Sequence, residues 1–254
     1  MITGREEIIQ LPSKMIGLYV DIMTLQEAIA QRHSVRQYED RALSPKHEKT
    51  LRAYINKVND KSGLRIQLIT DEPKAFSGPM AKCMKFAGCR NYIALVGKKT
   101  EDLDERCGYY GEYLVLKATQ MGLNTCWVAL TYSKIKNTIK VSPDEKLCCV
   151  IAIGYGINNG FPHKSKPVTQ VIRTDGIMPN WFREGVKCAL LAPTAMNQQK
   201  FMIELVDKRV SITAPRSGYQ RIDLGIVRLH FEIGAGKENF EWLLKDRKRS
   251  NAKD

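Results

Sequence analysis

The sequence predicts an α+β protein made of two tandem, unequal repeats. Three features carry that prediction. Short apolar runs with strand-like alternation are interleaved with longer segments of helical periodicity. The strand pattern Ile66-Gln67-Leu68-Ile69 returns as Ile203-Glu204-Leu205-Val206, and Gly111 to Gly122 and Gly225 to Gly236 frame helical stretches of equal length. The chain has 254 residues, enough to bury a core as one large domain or two small ones. The predicted organisation is an extension at 1–22, a first repeat at 23–172, a linker at 173–179, a second, degenerate repeat at 180–240 and a basic tail at 241–254.

Thr24 opens the first helix, which runs to Gln31, with Glu27 three residues on completing a capping box and Leu25, Ala28 and Ile29 on one face. The loop Arg32 to Arg36 follows. Ser44 and Pro45 begin a second helix that reaches about Val58, with proline at the first helical position. Leu64 to Thr70 alternates as a half-buried strand, and Tyr92 to Val96 is a short apolar strand. Tyr109 to Met121 is a long apolar helix stopped by Gly122, and Thr125 to Leu130 is extended. Ser142-Pro143-Asp144-Glu145 leads into the strand Leu147 to Ile153, which Gly154 ends. The second repeat holds a helix from Trp181 to Leu191 broken by Pro193, a strand from Phe201 to Asp207, and a helix from Ile222 to Phe231 running into Gly234-Ala235-Gly236.

Hydrophobic residues make up 43% and charged residues 26%, the proportions of a globular chain, so disorder is not the default. The formal charge of +13 is partly concentrated in Lys245, Arg247, Lys248, Arg249 and Lys253; elsewhere it is interleaved with acidic residues. That pattern describes a solvated surface and also suits anionic ligands through steering. There is no helix-turn-helix pattern, zinc finger or aromatic RNA-binding signature, so nucleic acid is not an expected partner. Ile8 to Met23 is interrupted by Pro12, Lys14 and Asp21 and is too short to span a bilayer, so neither is a membrane. Seven cysteines without a CxxC spacing predict neither a disulfide framework nor a zinc site, but reduced thiols in a cytoplasmic protein.

Three stretches carry polar groups suited to an anion or a polar heterocycle. Arg32-His33-Ser34-Val35-Arg36 places two guanidiniums and a hydroxyl within five residues, a set that can surround a phosphate. Taken alone it reads first as a solvated basic turn, and the second basic stretch shifts that reading. His163-Lys164-Ser165-Lys166-Pro167 adds two cations after the last strand of the first repeat. Ala192-Pro193-Thr194-Ala195-Met196-Asn197-Gln198-Gln199 lies between a helix and a strand and is rich in amides, which donate and accept at once. It also reads as a capped turn. His33 and His163 read as structural, and Tyr109, Tyr110, Tyr113, Phe161 and Trp181 are candidates either for a substrate face or for the core.

Arg-x-Ser-x-Arg near the start, Ala-Pro-Thr-x-x-Asn-x-Gln before a strand, and Lys164-Ser165-Lys166-Pro167 soon after Gly154-Tyr155-Gly156 together resemble the nitroreductase family. Met121-Gly122-Leu123 and Thr125-Cys126-Trp127-Val128 extend the resemblance, which covers roughly Met23 to Gly236. It implies a nitroreductase-like fold with a bound FMN. The donor would be a transiently bound NADH or NADPH, and the small-molecule acceptor a nitroaromatic or quinone. Arg32, Ser34, Lys164 and Lys166 would hold the phosphate, Arg36 would lie near the pyrimidine, and His33 is nominated with them as a cofactor-binding residue. The main chain of Val128, Ala129 and Leu130 would approach the flavin, and Pro193, Thr194, Ala195, Asn197 and Gln199 would contact it from the other side. The flavin itself would carry the chemistry, with no catalytic side chain and no metal.

One departure matters. The first repeat lacks the amide-rich loop, and the second lacks Arg-x-Ser-x-Arg. The resemblance therefore points to the duplicated branch of the family, in which one chain imitates a dimer, with one complete FMN site and one lost. A monomeric pseudo-dimer or a weak homodimer is expected. Other flavin chemistry on the same scaffold (reductive dehalogenation or flavin consumption), and a non-catalytic flavin- or nucleotide-binding role, are the alternatives.

Overall fold

The computed structural model describes residues 23–174, 176–215 and 218–243. The predicted extension at 1–22 and, after its first three residues, the predicted tail at 241–254 lie outside the described residues.

The first helix, α1 (Leu25–Gln31), starts at Thr24, whose hydroxyl accepts from the Glu27 amide while the Glu27 carboxylate accepts from the Thr24 amide. Helix α2 (Pro45–Ser62) is capped by Ser44 and ends at Gly63 in the left-handed region. It outlasts the predicted end because Asn59 to Ser62 are polar and hide the periodicity. Asn59 also turns the chain back, its amide holding both backbone groups of Ile66.

Four antiparallel strands form the first sheet, in the order β1 (Gln67–Ile69), β2 (Asn91–Lys98), β4 (Glu145–Gly154) and β3 (Asn124–Val128). Between β1 and β2 lies a short helix, α3 (Pro79–Cys83), which the sequence did not predict. Helix α4 (Leu103–Gln120) begins six residues before the predicted Tyr109, since its first turns are polar. It packs on β2, β3 and β4.

The second sheet runs β5 (Ile172–Thr174), β6 (Met202–Val206), β7 (Arg209–Thr213), β8 (Glu241–Trp242). Strand β5 takes in Arg173 and Thr174, which the sequence assigned to the linker, and pairs in parallel with β6. The unpredicted β7 pairs with β6 across a two-residue hairpin in which Asp207 has a positive φ of 57°. Helices α5 (Asn180–Leu190) and α6 (Gln220–Ala235) complete the second unit.

Helix α6 lies between α4 and α5, so the two units share one apolar core rather than meeting at a surface. The α4–α6 crossing is close and reciprocal. A Cβ on Gly108 would stand 2.0 Å from the carbonyl oxygen of Ile222, and one on Gly225 would stand 2.0 Å from that of Glu105. Each glycine thus touches the carbonyl three residues before the other, and only glycine permits backbones to approach this far. The contact pairs Gly225 with Gly108, one helical turn from the Gly111 that the sequence pattern matched to it. No helix among the described residues is long and apolar enough to cross a membrane.

Candidate functional site

A cavity of about 420 Å³ opens where the two units meet, large enough for a cofactor-sized ligand. Its first wall is the segment after α1. That segment runs extended beside β3, with a bridge between Ser34 and Thr125 and a bond from the Val35 amide to the Thr125 carbonyl. Val35 and Tyr38 point into the core, and Tyr38 Oη donates to the Val35 carbonyl at 2.6 Å. Alternation then turns Arg32, Ser34 and Arg36 to the cavity, with His33 also at its edge.

Arg32 is the most informative of these. Its side chain is 4% exposed, yet its Nε is buried with no hydrogen-bond partner, and Glu112 is its ion-pair partner at 3.7 Å, beyond hydrogen-bond reach. Burial lowers its pKa, opposed by Glu112 and Cys126. Among the described residues the Arg36 guanidinium has no hydrogen-bond or ion-pair partner. Two such donors facing one cavity suit an anion with several acceptor oxygens. Burial, then Arg32 and His163, lower the His33 pKa, which disfavours its charged form.

The second wall is β3 and its continuation: Cys126, Trp127, Val128 and Ala129. Burial raises the Cys126 thiol, with Arg36, Arg32 and Ser34 opposing it. Cys149, also in the lining, is raised well above its ordinary value, first by burial. Neither presents a thiolate nucleophile. Leu130 is exposed and outside the lining.

The third wall is the loop after α5. Pro193, Thr194, Ala195, Met196 and Asn197 line the cavity, with Met196, Asn197 and Gln199 all at positive φ. The fourth is α6, which offers Ile222, Ile226 and Asp223 beside Tyr219. Both Asp223 oxygens accept from the Ala195 amide, at 3.0 and 3.1 Å, tying α6 to the loop. Burial pushes the Asp223 carboxyl up to about 6.

Besides Leu130, three nominated residues stand outside the lining. Gln199 is 1% exposed, but its side chain is fully used: Nε2 donates to the Lys164 carbonyl and to Asn197, and Oε1 accepts from the Lys166 amide. The Lys166 ammonium donates to the Gln199 carbonyl, 3.1 Å away. Lys164 is exposed and takes part through its carbonyl, which accepts from Asn197 and Gln199. The 163–166 strap is therefore a fixed support for the loop, pinned at its other side by His163 Nε2 and Ser165 Oγ on the Leu190 carbonyl.

Of the five aromatic candidates only Phe161 reaches the cavity, at its mouth and 83% exposed. Tyr109 bonds Glu232 and meets Tyr110 edge-on, Tyr113 is buried in the core, and Trp181 stacks on Phe240. The sequence missed Trp127, His163, Asp223 and the apolar face of α6 as lining residues. Asp223 did leave a signal, as a single carboxylate on the face that carries Ile222 and Ile226.

Comparison with known proteins adds to this geometry. A family model described as "Putative TM nitroreductase" matches residues 24–235. A crystal structure from Thermotoga maritima, described as a "putative nitroreductase", aligns with a TM-score of 0.63 at 24% identity, covering 91% of this chain and 92% of that one. An FMN-dependent nitroreductase from Clostridium difficile aligns over 52% of this chain and 87% of its own, at 18% identity and a TM-score of 0.40. No curated protein matches the chain significantly.

Proposed function

The chain belongs to that nitroreductase family, a membership that carries a general oxidoreductase function, and on this premise we propose that it binds one FMN per chain in the cavity between its units. There it takes electrons from NADH or NADPH and passes them to a nitroaromatic, quinone or similar small acceptor. The observation that carries the reading is Arg32, a guanidinium inside the cavity lining whose buried Nε has no hydrogen-bond partner. A buried donor without a hydrogen bond is costly unless a ligand satisfies the group.

The residues present fit the group. Arg32, Ser34 and Arg36 offer donors to a phosphate. The main chain of Val128 and Ala129 and the loop from Pro193 to Asn197 form two polar walls, and Ile222 and Ile226 give an apolar surface for a ring system. When bound, FMN supplies the redox chemistry; the protein binds, orients and tunes it. Arg36 favours negative charge in the cavity, and Asp223 is a carboxyl that exchanges its proton near neutral pH, close to the apolar face. Trp127 and α6 exclude water from the inner end. The seven free cysteines fit a reducing cytoplasm.

The test is anaerobic. Protein reconstituted with FMN is mixed with NADH or NADPH, and the oxidised-flavin absorbance is followed before and after a quinone or nitroaromatic is added. Bleaching by either nucleotide and recovery with the acceptor are expected. A flavin that neither nucleotide bleaches contradicts the proposed oxidoreductase activity.

A further inference from the structure

Behind the cavity wall lies a carboxylate that no part of the proposed redox chemistry uses. Glu112, on α4, is wholly buried, as is His230, on α6. Its Oε2 accepts from the Trp127 indole at 2.8 Å, its Oε1 lies 2.9 Å from His230 Nε2, and the same oxygen is 3.7 Å from Arg32 Nε. His230 Nδ1 in turn lies 3.0 Å from the Cys188 carbonyl of α5.

A carbonyl only accepts, so Nδ1 must carry a hydrogen. An ionised carboxylate also only accepts, so Nε2 must carry one too. With Glu112 ionised, the arrangement is carboxylate and imidazolium, with Arg32 as a second cation. The two cations on one anion leave one net positive charge just beneath the cavity. An ionised carboxylate is expensive to bury, and a simple packing position would not need one.

Two of the three groups that meet this carboxylate, Arg32 and Trp127, line the cavity. The third belongs to the other unit. Trp127 is further confined by Gly111, where a Cβ would come within 2.6 Å of its ring.

We propose that Glu112 is the positioning residue of the anion-binding end. Anchored to the second unit through a protonated His230, it sets Arg32 and Trp127 at once, and its effect on anion affinity passes through Arg32. This rests on the FMN reading above. Glu112 does not touch the cavity; it decides where the groups that do are held.

The test is a double-mutant cycle with Glu112→Gln, Arg32→Ala and the pair, reading FMN affinity by quenching of flavin fluorescence. Glu112→Gln alone is expected to weaken FMN by about tenfold, because the displacement of Arg32 outweighs the attraction gained by removing a negative charge near the anion. An unchanged or tighter affinity overturns the proposal. In the Arg32→Ala background the same change should shift affinity less than about twofold, because the coupled term is already gone. Equal losses in both backgrounds make Glu112 a merely structural residue and overturn the proposal. Side-chain nitrogen NMR of the wild-type protein gives a second reading that needs neither variant nor flavin. Both His230 ring nitrogens should bear protons; a singly protonated ring contradicts the anchor. Wild-type protein that binds neither FMN nor inorganic phosphate defeats the FMN reading and this one together. Wild-type protein that binds FMN but gives an additive cycle defeats this one alone.

Discussion

Arg32 and Gln199 are both polar, both nearly inaccessible, and both belong to loops whose sequence suggests contact with a cofactor. One has a buried nitrogen with no hydrogen-bond partner; the other has every side-chain atom bonded to the protein. Residue type and spacing made them look equivalent, but their bonding separates them. An amide surrounded by backbone partners is scaffold, and a cation held at a cavity wall without enough acceptors is a site. The same contrast divides the basic residues: Arg36 faces the cavity, whereas the Lys166 ammonium is bonded to a backbone carbonyl.

The largest effect that would sharpen this comparison is on ligand binding. Arg32→Ala should weaken FMN by about ten- to a hundredfold, the scale of charge-assisted hydrogen bonds. Lys164→Ala should cost less than about threefold, since an exposed cation acts only through a screened field. Equilibrium titration of both variants checks this, and a Lys164 loss as large as that of Arg32 would break the distinction.

Gln199→Ala should show the opposite balance. Removing three buried side-chain hydrogen bonds should lower stability by about 2–3 kcal/mol, measured by denaturant unfolding, at roughly 1 kcal/mol for each. FMN affinity should change less than it does for Arg32→Ala. A stable Gln199→Ala protein that cannot bind flavin would make Gln199 a ligand contact after all.

The smallest effect concerns Asp223. Its carboxyl titrates at about 6, above its ordinary value near 3.8, because burial disfavours the charge. The folded state therefore holds this proton more tightly than the unfolded chain. Its contribution to stability is greatest below pH 4 and is lost as pH rises through about 6. Asp223→Asn should accordingly stabilise the protein by about 1–3 kcal/mol at pH 8, on the scale of 1.4 kcal/mol per pKa unit, and the gain should shrink as pH falls below 6. Denaturant midpoints across pH 4–8 check it; a pH-independent difference would contradict the assignment. FMN should also bind more tightly to this variant at pH 8, with one fewer negative charge in the lining.

Much of the fold was legible because local chemistry and tertiary packing agree. The capping box at Thr24, the Ser44-Pro45 start and the apolar strands β2 and β4 are short-range signals that the core reinforces. Helix α4 was placed late and α3 and β7 were missed, because polar first turns and short segments carry little periodicity. The nitroreductase-like α+β fold and the family followed from motifs whose order counted for more than any one of them. The site was legible as far as residue type reaches: Arg32, Ser34, Arg36 and the Pro193–Asn197 loop do meet at one cavity. What stayed hidden depends on long-range contact. Nothing local to Glu112 or His230 shows that residues 118 apart in sequence would meet. Nor does any spacing show that Gln199 would turn inward to hold a strap.

The reciprocal contact of Gly108 and Gly225 is what a helix pair inherited from a dimer would keep, and it fits the proposal of a duplicated chain with one surviving site. Flavin stoichiometry tests that account most directly. FMN is titrated into the purified, flavin-free protein, and bound flavin per chain is read from the absorption spectrum and from the FMN released on denaturation. The account predicts saturation at one FMN per chain, abolished or strongly weakened by Arg32→Ala. A protein that takes up no flavin, or binds it unchanged without Arg32, would contradict it.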